Sequence, residues 1–253
     1  MSDQDLTGKV AIVTGGGVGI GAGIAESLAS RGARVIVTYR SHEPSSEALD
    51  RLRSADGRDA IALPVDLTLE AEVEKFGAEV ERQVGKVDIL VHNAGGLIER
   101  SKIEDMPYDL FRRVQTLNVD SVFLVTKRIL PILSDDGRIV IVASLAGRSG
   151  GHAGATAYAT AKAALFGFTR GLSKEVADRR ITVNAVAPGF IEATPFHDTF
   201  TTEQSKQQTI ATIPLGRAGN PADVASSVTW LASPGASFIT GVVIDINGGQ
   251  HFS

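Results

Sequence analysis

Tyr158 and Lys162 stand four residues apart in a stretch, 157–177, whose pattern reads as helix, so one turn brings a phenol and an ammonium onto the same face. A phenol can give or take a proton near neutral pH only if its ordinary pKa of about 10 is brought down. A cation about 4–5 Å from the phenolate contributes roughly 3–4 kcal/mol at an effective dielectric of ~20, or about 2–3 pK units, which is the size the task needs. An amphipathic helix with a half-buried tyrosine and a surface lysine would show the same spacing, so the pair takes its meaning from its surroundings. Ser144 closes a β-branched run at 138–144. At the carboxyl edge of an α/β sheet its hydroxyl would lie where such sheets bind ligands. Neither a thiol nor a metal is called for. The chain has no cysteine, and its five histidines are dispersed without a His-x-x-x-His pair.

A second concentration of chemistry lies near the start. Gly15, Gly16, Gly17, Gly19, Gly21 and Gly23 crowd the end of an apolar run at 10–14 and the start of a helical pattern. Glycines there let the chain turn with positive φ and let backbone N–H groups approach a pyrophosphate at a helix N-terminus. A tight strand-to-helix connection would look the same in isolation. A following helix and a second strand make the dinucleotide reading the stronger one.

The elements that must position these groups follow from the periodicity. Short β-branched runs at 10–14, 34–39, 60–65, 88–92, 138–144, 181–186 and 242–246 alternate with helical patterns at 20–31, 44–55, 69–84, 107–133, 157–179 and 221–232. Near-continuous apolar strands suit a parallel sheet buried on both faces, and the repeated alternation predicts one α/β domain, a doubly wound seven-stranded Rossmann sheet spanning 1–253. With 43% hydrophobic residues over 253, a sizeable core can form. The segment at about 189–216 breaks the rhythm after the sixth strand and is expected to lie over the substrate. The formal charge of −4 and the lack of a long basic run argue against nucleic acid and anionic membranes. No stretch approaches the ~20 apolar residues of a membrane span, the start has no signal-peptide pattern, and a cytoplasmic protein is expected.

Taken in order, the turn at 14–21, Asp66, Asn93-Ala94-Gly95, Asn118, Ser144, Tyr158-x-x-x-Lys162 and Pro188-Gly189 resemble the motifs of the short-chain dehydrogenase/reductase family over nearly the whole chain. The resemblance implies hydride transfer between a nicotinamide cofactor and a carbonyl or secondary alcohol. In that scheme Tyr158 is the general acid or base, Lys162 lowers its pKa and holds the nicotinamide ribose, Ser144 orients the substrate oxygen, and Asn118 links the lysine to solvent through water. It also assigns the cofactor to Gly15, Val18, Gly19, Ile20 and Gly21 at the phosphates, Asp66 and Leu67 at the adenine, Asn93, Ala94 and Gly95 along its length, and Pro188, Gly189, Ile191 and Thr194 at the nicotinamide. Asp66 reads equally as a helix N-cap or an Asx turn. The Ser144-to-Tyr158 separation is slightly longer than in many relatives, Thr194 is displaced by one position, and Val18 replaces a basic residue common in NADP-using members.

Cofactor choice is read at the end of the second strand, where NAD users place an acidic residue on the ribose 2′-hydroxyl. Here Tyr39 occupies that place, followed by Arg40 and Ser41, so no carboxylate is expected to repel a 2′-phosphate and a guanidinium is at hand to hold it. NADP(H) is the expected cofactor, with NAD(H) possible. The expected substrate is a small ketone, alcohol or sugar. The Val186-to-Ile191 and Ile239-to-Gly249 segments are similar to the 3-oxoacyl-carrier-protein reductase branch, whose acidic carrier would dock on basic residues such as Arg179 and Arg180. Against this the turn at 134–137 is acidic. A cofactor-binding regulator without turnover is the reading of another class. The tail 248–253 resembles segments packed between subunits, implying a homotetramer.

Overall fold

The computed structural model describes residues 5–41, 43–54, 57–192 and 202–252. Its single sheet holds β1 (Val10–Val13), β2 (Arg34–Tyr39), β3 (Ile61–Pro64), β4 (Val87–His92), β5 (Leu133–Val142), β6 (Thr182–Pro188) and β7 (Val243–Ile246), all parallel, in the order β3-β2-β1-β4-β5-β6-β7. The helices are α1 (Gly19–Ser30), α2 (Ser46–Asp50), α3 (Glu70–Val84), α4 (Tyr108–Gln115), α5 (Ser121–Ile129), α6 (Ala146–Ser149), α7 (Thr156–Glu175), α8 (Glu203–Ile210) and α9 (Pro221–Leu231). The expected doubly wound α/β fold is present, with every expected strand in place.

Alternation along each strand builds two cores. Ile12, Ile36, Leu90 and Ile139 face one side, where they meet Phe76 and Val80 of α3, Val125 and Ile129 of α5, and Leu165 of α7. Ala11, Val13, Val35 and Val91 face the other, against Ile24 and Leu28 of α1 and Val224 and Val228 of α9. Because both faces are covered, the strands read as unbroken apolar runs.

The sequence differs from the structure mainly at helix interiors. The pattern at 107–133 predicts one helix, yet the chain forms α4, a π-helical turn at Thr116–Asp120, α5 and a 3-10 turn at Leu130–Ile132. One residue is inserted into the helical ladder, which hydrophobic periodicity does not register. The expected helix at 44–55 shrinks to five residues. The fifth strand begins at Leu133, which pairs with Val87 before a register shift, with Asp136 at φ 61° in the left-handed region. Within 189–216 lies an unexpected helix, α8; residues 193–201 are outside the described ones.

Candidate active site

The strand order reverses about β1, which lies between β2 and β4, and the carboxyl ends of such strands frame a crevice. A cleft of about 1200 Å³ opens there. The turn after β1 is shaped by close approach. A Cβ on Gly21 would lie 2.2 Å from the Gly15 carbonyl oxygen and 2.5 Å from Asn93 Nδ2, so only glycine fits. Asn93 ties the first and fourth strand ends together, its Nδ2 donating to the Thr14 and Gly15 carbonyls at 3.1 and 3.0 Å. Thr14 Oγ1 accepts the N–H groups of Asn93 and Ala94 at 2.9 and 3.1 Å. Val18 caps α1 without a side-chain acceptor, and no acid lies in the first turn. The helix therefore offers its leading amides to an anion, as a dinucleotide pyrophosphate requires.

The reactive groups meet at the ends of β5 and α7. The Tyr158 phenol is hydrogen-bonded with the Ser144 hydroxyl. Lys162 is buried, donates from Nζ to the Val142 carbonyl at 2.9 Å, and sits 5.7 Å from the centre of the Tyr158 ring. Burial brings its pKa down to about 8. Burial also pushes the Tyr158 phenol up, and the Ser144 hydrogen bond offsets only part of this. For the protein alone the phenol is therefore shifted upward, opposite to the direction expected from the lysine spacing, with burial the larger cause, and it holds its proton.

Asn118 lies in the π-helical turn and is fully buried. Its Oδ1 accepts the Gly96 N–H at 3.0 Å while Nδ2 donates to the Gly96 and Val114 carbonyls at 2.8 and 2.9 Å. Only one Oδ1 lone pair is left for a water. A Cβ on Gly95 would stand 2.6 Å from that oxygen and 3.1 Å from Lys162 Nζ, so the glycine lets the asparagine and the lysine converge. The Ser144–Tyr158 connection carries α6, which Gly150 ends at φ 84°. Arg148 of α6 is held by Asp245 of β7 at 3.2 Å and lies over the Phe166 ring of α7 at 4.7 Å.

Most expected cofactor residues line the cleft: Gly15, Val18, Gly19, Ile20, Gly21, Tyr39, Arg40, Ser41, Asn93, Ala94, Gly95, Tyr158, Lys162, Pro188, Gly189 and Ile191. Asp66 and Leu67 are not among its lining residues. Asp66 Oδ1 instead accepts the Thr68 N–H and hydroxyl at 2.9 and 2.6 Å, the Asx-turn alternative, and Leu67 is buried in the core. Thr194 lies outside the described residues. The expectation of no carboxylate beside Tyr39 is also corrected, because Glu43 hydrogen-bonds its phenol.

Sequence reasoning passed over Thr202, Ser205, Thr209 and Thr212, a stripe of hydroxyl residues on α8 and its flanks that lines the cleft, and over Arg100, Gln250 and His251. The stripe was visible as helical spacing; the other three belong to no motif. Arg179 and Arg180, weighed as docking groups, pair with Asp135 and Asp136 at 3.1 and 2.8 Å at the amino edge of the sheet, away from the cleft. Each is neutralised by the acidic turn itself.

The profile of the family described as "Enoyl-(Acyl carrier protein) reductase" matches residues 16–251. The chain is 40% identical over 254 residues to the 3-oxoacyl-[acyl-carrier-protein] reductase FabG of Vibrio cholerae, covering 98% of this chain and 99% of that protein. This chain belongs to the short-chain dehydrogenase/reductase family. The corresponding FabG of Aquifex aeolicus is 42% identical over 248 residues, 97% of this chain and 98% of the relative. Among solved structures, the RhlG/NADP active-site complex of Pseudomonas aeruginosa superposes with a TM-score of 0.91 at 34% identity, covering 100% of both chains. As a member of the family the chain is an oxidoreductase. No helix among the described residues is long and apolar enough to cross a membrane.

Proposed function

We propose that this short-chain reductase converts the 3-oxo group of an acyl thioester to the 3-hydroxyl at the expense of NADPH. The observation that carries the chemistry is the hydrogen-bonded Ser144–Tyr158 pair beside buried Lys162 in the cleft. The 3-oxoacyl substrate is supported by full-length relatives at about 40% identity, and it displaces the small ketone, alcohol or sugar expected from sequence.

NADPH, when bound along the cleft, would supply the hydride for the carbonyl carbon. Tyr158 gives its proton to the carbonyl oxygen, and Ser144 donates a hydrogen bond to that oxygen as negative charge develops. Lys162 stands behind the phenol as the cation that stabilises the phenolate left behind, and the free lone pair of Asn118 Oδ1 can hold the water that returns the proton. Burial raises the pKa of the phenol, so before reaction Tyr158 holds the proton that it gives up.

Preference for NADPH over NADH is supported by Arg40, exposed at the tip of β2 and lining the cleft. Its guanidinium suits a 2′-phosphate, with the Glu43 carboxylate held on the neighbouring Tyr39 phenol. A cytoplasmic location and a homotetramer go with this reading. For the second, β7 is a sheet edge and Phe238 and Phe252 stand almost fully exposed near it in sequence, at 102% and 84%. A monomer in light scattering would refute the tetramer.

The test is NADPH consumption with a 3-oxoacyl thioester, set beside NADP+ reduction with sugars and polyols. Turnover of the thioester with NADPH, weakened in Arg40→Ala but only slightly changed with NADH, is the expected result. Oxidation of a sugar or polyol with no reduction of the thioester would end the assignment, and cofactor binding without any turnover would favour the regulator.

A further inference from the structure

The cleft contains a cation that this mechanism does not use. Arg100 lines it, half-buried, and its Nη1 is fully buried with no hydrogen-bond partner among the described residues. A buried donor on a charged group is costly to leave unpaired, and because the Arg100 side chain lines the cleft, a ligand there that shifts the guanidinium can complete it. The loop that carries it is held in shape. Ile98 adopts φ 67°, a conformation β-branched residues avoid, and such strain persists only where the surroundings impose it. Ser101 donates its N–H to the Gly154 carbonyl at 3.1 Å, and a Cβ on Gly154 would meet Arg100 Cβ at 3.3 Å. Arg100 is therefore packed against the segment that runs into α7 and presents Tyr158.

The charge around it is one-sided. Among the described residues no aspartate or glutamate lines the cleft, although the whole chain has a net charge of −4. Of the three lysine or arginine side chains there, Lys162 is committed to Tyr158 and Val142, and Arg40 stands at the tip of β2.

We propose that Arg100 binds an oxyanion on the substrate, a carboxylate or phosphate attached to the molecule whose carbonyl lies between Ser144 and Tyr158. A guanidinium takes either group through two parallel hydrogen bonds. The proposal rests on the carbonyl-reductase reading and narrows its substrate class: neutral ketones and sugars leave Arg100 unpaired and are discriminated against. Two sources carry the same chemistry, the carboxylate of a free 3-oxo acid and the phosphate of a phosphopantetheine arm.

Two matched pairs separate them. Acetoacetate is compared with ethyl acetoacetate, and acetoacetyl-phosphopantetheine with its uncharged N-acetylcysteamine thioester. The enzyme is expected to favour the charged member of one pair by roughly tenfold or more in kcat/KM, the scale of one charge-assisted hydrogen bond. Arg100→Gln should erase that ratio and Arg100→Lys keep part of it. The pair that shows the preference names the source. Equal kcat/KM within both pairs, or a loss in Arg100→Gln shared by charged and uncharged members alike, overturns the role of Arg100 while leaving the reductase reading intact. If no member of either pair is reduced, that reading fails and binding decides. A rise in the unfolding temperature of the NADP+ complex with acetoacetate or phosphopantetheine, absent in Arg100→Gln, upholds the anion site, and no rise with either overturns it.

Discussion

At the residue scale, the state of the proton on Tyr158 governs what the site can do. Burial raises the phenol and lowers Lys162 to about 8, so at pH 7 the tyrosine is neutral and the lysine is mainly an ammonium. Tyr158→Phe removes the acid and one partner of Ser144, and kcat for reduction is expected to fall by about 10²–10⁴ with NADPH affinity largely kept, as cofactor fluorescence titration would read. The alkaline limb of kcat/KM follows from the lysine. As pH rises through about 8 the ammonium loses its proton and the charge that stabilises the phenolate disappears, so the rate of reduction should decline there. A profile flat to pH 10 would show that the charge on Lys162 does not matter. The Tyr158–Lys162 spacing was legible because helical geometry fixes which face a residue four positions on occupies. The direction of the pKa shifts was not, because desolvation depends on what packs over the pair, and spacing carries no information about that.

At the element scale, the π-helical turn between α4 and α5 brings Asn118 beneath Gly95 and toward Lys162. The inserted residue turns the asparagine inward, where its amide is spent almost entirely on Gly96 and Val114. Gly95→Ala would drive a methyl into Asn118 Oδ1 and Lys162 Nζ, and neither can yield without breaking a buried hydrogen bond. Turnover is expected to drop at least as far as a stability loss of about 1–3 kcal/mol accompanies it, the usual cost of overpacking, read by parallel kinetics and denaturant melts. Strand runs were easy to find in the sequence, since residues buried on both faces write continuous β-branched blocks. Asn118 inside an uninterrupted apolar period gave no sign of the extra residue. Arg100 is harder still. Its importance depends on Ile98 in a left-handed conformation and on Gly154, more than fifty positions away, and no local pattern connects them.

Across the whole molecule, stability and pH are linked through His92. The imidazole ends β4, lies buried against Thr126 Oγ1 at 2.9 Å, and is held neutral with its pKa down at about 3. In the unfolded chain it titrates at the ordinary value of 6.5. Between those values the unfolded state binds a proton the folded state refuses, so the histidine's contribution is present above pH 6.5 and is lost progressively as pH falls toward 3. His92→Gln keeps a polar group for Thr126 but does not titrate. It should flatten this part of the acid-unfolding curve, measured by circular dichroism, even if stability at pH 7 is somewhat lower. The buried side chain ties β4 to α5, so the lost stability belongs to the centre of the sheet and not to a loop. At this scale the sequence was most informative: two cores on two faces follow directly from the alternation of residues such as Ala11 and Ile12.

The cleft walls also bear on how quickly ligands arrive. The outer surface of an acidic protein repels anions, while Arg40, Lys162 and Arg100 line the opening and draw field lines inward, an effect that Glu43 at Tyr39 offsets only in part. Capture of a phosphorylated cofactor then becomes an electrostatically guided encounter, fast in dilute buffer and slowed as the Debye length shrinks to about 8 Å at physiological ionic strength. In stopped-flow mixing the association rate constant for NADPH should fall with added salt while the dissociation rate constant changes little, so the enzyme trades catalytic efficiency for salt through encounter and not through chemistry.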